Sequence, residues 1–236
     1  MKKRILRVGF TGIKGEIIFH EFREVPVKTL LFTFLEKRRV LSTRDGFRKV
    51  KVVGENSCPP KLWEFVHQSF DNYFKGILNT LSLKKEEVAF LFTGADVERG
   101  VLKSAKENES EILTFVTTDV KSNAMRAGQD KPRGKRKKIS PGTINIFLFT
   151  KDNLSEAAMA RSLITITEAK VEALQDLDIR SSYNPKYQAT GTGTDNIVVV
   201  SGKGARIEHL RGHSRLSQII AQIVFEATKK SIRKRV

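Results

Sequence analysis

Apolar residues recur along this chain with two different periods, and the place where one period gives way to the other limits the possible folds more than any other feature. In the first fifty-odd residues, short apolar stretches alternate with charged turns: "RILRVGF", "GEIIFHEF", "TLLFTFLEKRRVLS" and "RKVKVV". A period of two belongs to strands with one buried face, so these segments are expected to form an antiparallel meander. At "PPKLWEFVHQSFDNYFKGILNTLSL" the period lengthens. Trp63, Val66, Phe70, Tyr73, Phe74, Ile77 and Leu81 fall on one helical stripe, behind a Pro60 suited to a first turn.

Further on, "VAFLFTG" and "ILTFVTT" read as strands, with a helix expected near 96–107 between them. Residues 119–140 are polar, glycine-bearing and basic, a long loop of the kind that is often functional. "GTINIFLFT" (142–150) reads as a strand. Asn153 followed by Glu156 resembles a capping pair opening a helix over 154–178, with Met159, Leu163, Ile166, Ala173 and Leu177 on one face. "DNIVVVSGKGARIEHL" is expected to be a hairpin turning at Ser201 to Gly204. Leu216, Ile219, Ile220, Ile223, Val224 and Ala227 stripe a closing helix. The expected fold is α+β, predominantly antiparallel sheet or sheets with helices packed on the outside. It forms a single compact domain, β-rich over 1–58 and α/β over 59–236, and 236 residues are ample for its core.

The formal net charge is +17. Such a surplus points ordinarily to nucleic acid. Here it is spread over the chain, dense only at "KPRGKRKK" (131–138) and the terminal "KKSIRKRV". No zinc-finger spacing, strand with paired aromatics or recognition helix accompanies it, so nucleic acid is not the expected partner. Lys, Arg and Glu enriched together also suit a hot habitat. Cys58 is the single cysteine and admits no intrachain disulfide, which suits a reducing interior. Arg7, Lys14 and Glu16 interrupt the apolar letters at the start before a signal-peptide core forms, and no run reaches membrane-spanning length. A cytoplasmic protein with no membrane partner is expected, and a homo-oligomer is admitted.

Two features point to chemistry. In "ATGTGTDNIVVV" (189–200), three threonines alternate with two glycines before an aspartate and an apolar run. A turn needs fewer glycines than that. If the segment is extended, alternation puts Thr190, Thr192 and Thr194 on one side, while Gly191 and Gly193 leave backbone N–H groups bare for an oxyanion or a close-lying ligand. A glycine-rich turn with threonines at strand positions is the plainer reading. The second feature is Lys170, which at 100° per residue falls on the apolar face of the 154–178 helix, while Glu168 points almost opposite. An ammonium there either snorkels past its neighbours or faces a cleft, where it can relay protons or hold a carbonyl oxygen.

"TTDVKSNAMRAGQD" (117–130), "PGTINIFLFTKDNLSEAAMARSLITITEAKVEALQDLDIRSS" (141–182) and "ATGTGTDNIVVVSGKG" (189–204) resemble, in order and spacing, the signature blocks of the adenosylcobinamide amidohydrolase family. The resemblance covers about residues 88–225. It implies hydrolysis of the amide joining the aminopropanol arm to the corrin ring of adenosylcobinamide, releasing adenosylcobyric acid. The implied partner is a small-molecule corrinoid, with no cofactor required beyond the cobalt the substrate carries. "RVLSTRDGFRKVKVVGEN" resembles a further family block and departs from it at Arg44, Asp45 and Phe47.

Cleaving an unactivated amide needs a nucleophile, a home for the oxyanion and an acid for the leaving amine. The catalytic candidates are Glu168, Lys170, Thr192, Thr194 and Asp195. Candidates for holding substrate are Ser42, Asn56, Asn123, Arg126, Gly128, Asn145, Thr190, Gly191, Gly193 and His213. Asn145, inside an apolar strand, reads equally as a satisfied core asparagine. His209 and His213 stand four apart, but Gly212 argues against one helical face presenting both to a metal, so no metal ligand is assigned. His20 and His67 read as structural, and Cys58 has no neighbouring histidine to activate it.

Overall fold

The computed structural model describes residues 1–130 and 142–234. The alternating N-terminal segments form β1 (Lys2–Leu6), β2 (Ile13–Phe22), β3 (Val25–Ser42) and β4 (Gly46–Ser57), an antiparallel meander. Then come α1 (Trp63–Gln68), α2 (Phe70–Thr80), β5 (Val88–Thr93), β6 (Val101–Glu107) and β7 (Ser110–Thr118). The remaining elements are β8 (Ala124–Met125), β9 (Ile144–Thr150), β10 (Asn153–Leu154), α3 (Glu156–Asp176), β11 (Gly191–Thr192), β12 (Asn196–Val200), β13 (Arg206–Ile207) and α4 (Arg215–Arg233).

Nine strands share one curled, mostly antiparallel sheet in the order β1-β2-β3-β12-β9-β7-β6, with β4 on the other edge of β3 and β5 beyond β4. The 18-residue β3 makes this possible, pairing β2 along its first half and β12 at Val40–Ser42. The sheet curls until its two halves face each other. Between them lie Leu30, Phe32, Phe34, Phe115, Phe147, Phe149 and Val198. Phe32 meets Phe149 and Phe115 edge-on with centroids 4.8 and 5.6 Å apart, the favoured aromatic arrangement.

β9 is buried along its whole length and serves two cores at once. Phe147 and Phe149 face the other half of the sheet, while Ile144, Ile146 and Leu148 face α3 and α4. On the far side α1 and α2 cover Leu31, Val52, Val88 and Phe90. The result is helices outside and sheet within, an α+β fold as expected. The β-rich portion and the later α/β portion share the one sheet.

Four local expectations change. Residues 96–107 are not a helix: Val97–Arg99 is a single 3-10 turn capped by Asp96, after which β6 pairs along β7 from Val101 to Glu107. The edge of β7 offers hydrogen bonds that a short charged helix would have to find alone. Residues 196–207 are not a hairpin, because β12 lies between β3 and β9, parallel to the latter, and β13 pairs with β10 instead. The turn at Ser201 to Gly204 folds against the turn after β9, so closely that a Cβ on Gly202 would collide with the Lys151 carbonyl. The cap of α3 is Ser155, whose hydroxyl accepts from Ala158 N at 2.9 Å, rather than Asn153. The stripe of residues 63–81 breaks at Ser69, which leaves helical geometry and divides α1 from α2.

Candidate active site

Lys170 lies on the buried face of α3 with Ile166, Ala169, Ala173 and Leu174. It neither snorkels nor stands bare: its Nζ is 2.6 Å from Asp195 Oδ2, with 10% of the lysine and 15% of the aspartate side chain exposed. Asp195 ends the Thr/Gly stretch, just before β12. Its carboxylate also accepts from Thr192 Oγ1 (2.5 Å), Thr192 N (3.0 Å) and Ile144 N (2.9 Å). Four donors on one carboxylate fix its orientation. A chain therefore runs from ammonium through carboxylate to a threonine hydroxyl, across α3, β11 and β9.

Gly191 is what lets the chain close. A Cβ there would lie 2.7 Å from Lys170 Nζ and nearer still to Asp195 Oδ2. Its backbone is needed for approach, since Thr192 N, the neighbouring amide, is already spent on Asp195. Gly193 is exposed, and a Cβ there would meet Asn123 at an ordinary 3.6 Å.

β8 brings the "SNAMRAG" segment alongside: Gly191 pairs with Met125 and Thr192 with Ala124. The Asn123 side chain is buried and donates to Gly142 O (2.9 Å) while accepting from the Tyr183 hydroxyl (3.1 Å). Gly142 O accepts as well from Thr194 Oγ1 (2.9 Å), and Thr143 Oγ1 donates to Thr194 O (2.7 Å). Thr190 Oγ1 accepts from Ala127 N at 3.0 Å. The three hydroxyls thus do not share one side. The strand stops at Thr192 because Asp195 folds back on it, and each hydroxyl meets a different partner.

Arg126 and Gly128 lie in the turn after β8, the arginine half-buried with Nη1 3.4 Å from Gln188 O, the glycine exposed at φ +75°. The basic run 131–138 lies outside the described residues. Five expected residues are not brought to this cluster. Glu168 is exposed on α3, as its angular position requires. His213 is exposed beside Ser214, the cap of α4. Ser42 Oγ is spent on the N–H groups of Arg44 and Asp45 in the β3–β4 turn. Asn56 is sealed under α2, donating to Thr29 and accepting from the Tyr73 hydroxyl. Asn145 is fully buried, donating to Phe92 O and to Glu55.

Glu55 itself is absent from the expected set. It is fully buried on β4 and accepts from Thr117 Oγ1 (2.7 Å) and Asn145 Nδ2 (2.8 Å), while its Oε2 and Asn145 Oδ1 have no partner among the described residues. A charged letter on the inward side of an alternating strand, two residues after Val53, was the readable signal. Burial pushes its carboxyl up to about 7, against the smaller opposing effect of the two hydrogen bonds. Since the folded pKa lies above the ordinary 4.5, stability from this group is complete below about pH 4.5 and is lost as pH rises to about 7. Glu55→Gln removes that loss. Urea unfolding of both proteins should show the variant gaining about 3 kcal/mol on the wild type between acidic and mildly alkaline pH. A constant difference across that range would refute the assignment.

Residues 14–236 match the family described as adenosylcobinamide amidohydrolase. An uncharacterized protein of Methanocaldococcus jannaschii is 43% identical over 211 residues, covering 84% of this chain and 82% of its own. Among solved structures, the PH0078 protein of Pyrococcus horikoshii superposes with a TM-score of 0.45 at 10% identity, over 94% of this chain and 84% of its own. The L-aminopeptidase D-Ala-esterase/amidase of Ochrobactrum anthropi gives 0.44 at 10% identity, over the same shares. Superpositions that distant do not bear on the site or the reaction. No helix among the described residues is long and apolar enough to cross a membrane. With the family's profile running from β2 through α4, the chain belongs to the adenosylcobinamide amidohydrolase family and is an amide-bond hydrolase.

Proposed function

We propose that the protein hydrolyses the amide between the aminopropanol arm and the corrin ring of adenosylcobinamide, giving adenosylcobyric acid. One water is consumed, the C–N bond breaks, a carboxylate stays on the ring and the amine leaves protonated. The observation that carries the reading is the Lys170–Asp195–Thr192 chain, which lies within the segment matched to the family. Lys170 uses one N–H on Asp195 and retains two for the carbonyl oxygen as it gains charge. Asp195 is an orienting group, because both its oxygens are already occupied by the four donors. Thr192 offers the reacting hydroxyl or positions the water. Asn123, Arg126, Thr190 and Thr194 lie in the segments beside this chain and are the residues to hold the amide-fringed guest.

The reading requires no cofactor beyond the substrate's own cobalt. A cytoplasmic setting goes with it, supported by the one cysteine, Cys58, buried and free. The test is conversion of adenosylcobinamide, followed by chromatography, with a chelator present and no nucleotide. Wild type should release the acid. Thr192→Val, isosteric but without the hydroxyl, should lose about a hundredfold in kcat/KM, or 2.7 kcal/mol, while Thr192→Ser stays within about tenfold. Retention of the chromophore through gel filtration without any new acid would make the protein a corrinoid binder instead.

A further inference from the structure

A cavity of about 450 Å³ opens at the other end of the sandwich. β9 runs from Ile144, whose N–H holds Asp195, to Thr150, which lines this cavity. At strand rise the two places are about 20 Å apart. Half-buried Phe10 and Ile13 supply apolar lining over the core rings of Phe34 and Phe149, and Lys151 and Lys203 stand at the two turns that pack on each other after β9 and β12.

Arg38 makes this more than a surface hollow. Between the pairs Thr33–Val52 and Arg38–Val50, β3 carries three more residues than β4, an irregularity of the kind that re-aims a side chain. Arg38 follows it and lines the cavity. Its Nη1 is buried and has no hydrogen-bond partner among the described residues. A buried guanidinium N–H left unmatched is costly, and the group that matches it best is a carboxylate or phosphate oxygen. The one carboxylate in the lining, Glu111, is 3.2 Å from Lys106. Lys151 and Lys203 are paired outward with Glu109 and Glu36. Glu36 feels the charge of Arg38 too but is bonded to Lys203, so among the cations lining the cavity Arg38 is the one with an N–H group left to meet a ligand.

We propose that this cavity is a ligand site separate from the amide-cleaving centre, for a small organic oxyanion whose charged end pairs with Arg38 and whose apolar body lies on Phe10 and Ile13. The volume falls within the usual range for small-molecule pockets. Carboxylates and phosphate monoesters share the chemistry, and the probes separate them.

The test is calorimetric titration of the full chain with benzoate, phenyl phosphate and, as neutral control, benzyl alcohol. One or both anions should saturate at one per chain, and the tighter of the two identifies the oxyanion. Arg38→Ala should weaken binding at least about tenfold, whereas Lys230→Ala, which removes the same charge from an exposed position on α4, should leave it unchanged. If Arg38→Ala does not fold, Arg38→Gln keeps the stem without the charge and is read the same way. Absence of saturable binding by either anion, equal binding of benzyl alcohol, or full affinity in the Arg38 variant would each overturn the site.

Discussion

Gly191→Ala should reduce amide hydrolysis by at least about a hundredfold, some 2.7 kcal/mol on the barrier. The added methyl lands 2.7 Å from Lys170 Nζ and closer to Asp195 Oδ2. Asp195 cannot retreat, because Ile144 N and Thr192 hold it from the other side. The lysine tip is the part that moves, which separates ammonium from carboxylate. Gly191 is not at positive φ, so alanine adds no backbone strain and the effect is confined to the pair. Gly193→Ala is the internal control, with contacts of 3.6 Å that need no adjustment, and should stay within about threefold. Equal activity in the two variants, measured as kcat/KM for adenosylcobinamide, would remove the Lys170–Asp195 pair from the reaction.

Asp195→Ala should be more severe, because four donors lose their acceptor at once. Lys170 becomes a buried unpaired ammonium, a change that costs about 3–5 kcal/mol when one partner of a buried pair is removed. Ile144 N and Thr192 N lose their bonds too, freeing the turn that holds Thr192. Activity should fall about a thousandfold, near 4 kcal/mol. Lys170→Met with Asp195→Ala removes both charges. The double variant should recover much of the stability in urea unfolding and none of the turnover, since packing is restored but the ammonium is gone. Recovery of turnover along with stability would reduce the pair to a structural ion bridge.

Strands β2 to β4 were legible because short apolar runs are punctuated by charged turns, although the middle of each strand proves to be buried on both faces. β6 was not. Its residues are mostly polar, and what makes it a strand is the free edge of β7, which no local pattern announces. Lys170 and the Thr/Gly–Asp stretch could be read as exceptions to otherwise regular patterns, a lysine on an apolar stripe and hydroxyls before a buried strand. Their direct union depends on the crossing of α3 over β11, a tertiary fact. Tyr183 reaches Asn123 only because the loop after α3 returns past β8. Asn145 and Asn56 had the right chemistry for recognising amides, but each found its partners inside the sheet.

The length of β3 governs the order in which the molecule can be completed. Ser42 waits for Val198, about 150 positions later in the chain, before that stretch of its edge is occupied. Pairings so distant in sequence are slow to form, since a large loop must close before any contact rewards it. A ribosome emitting this chain therefore displays an open β edge through most of synthesis. The last strand to enter the sheet is also the one that carries Asp195 into place at its head, so the proposed Lys170–Asp195–Thr192 chain is assembled only when the sheet is nearly finished.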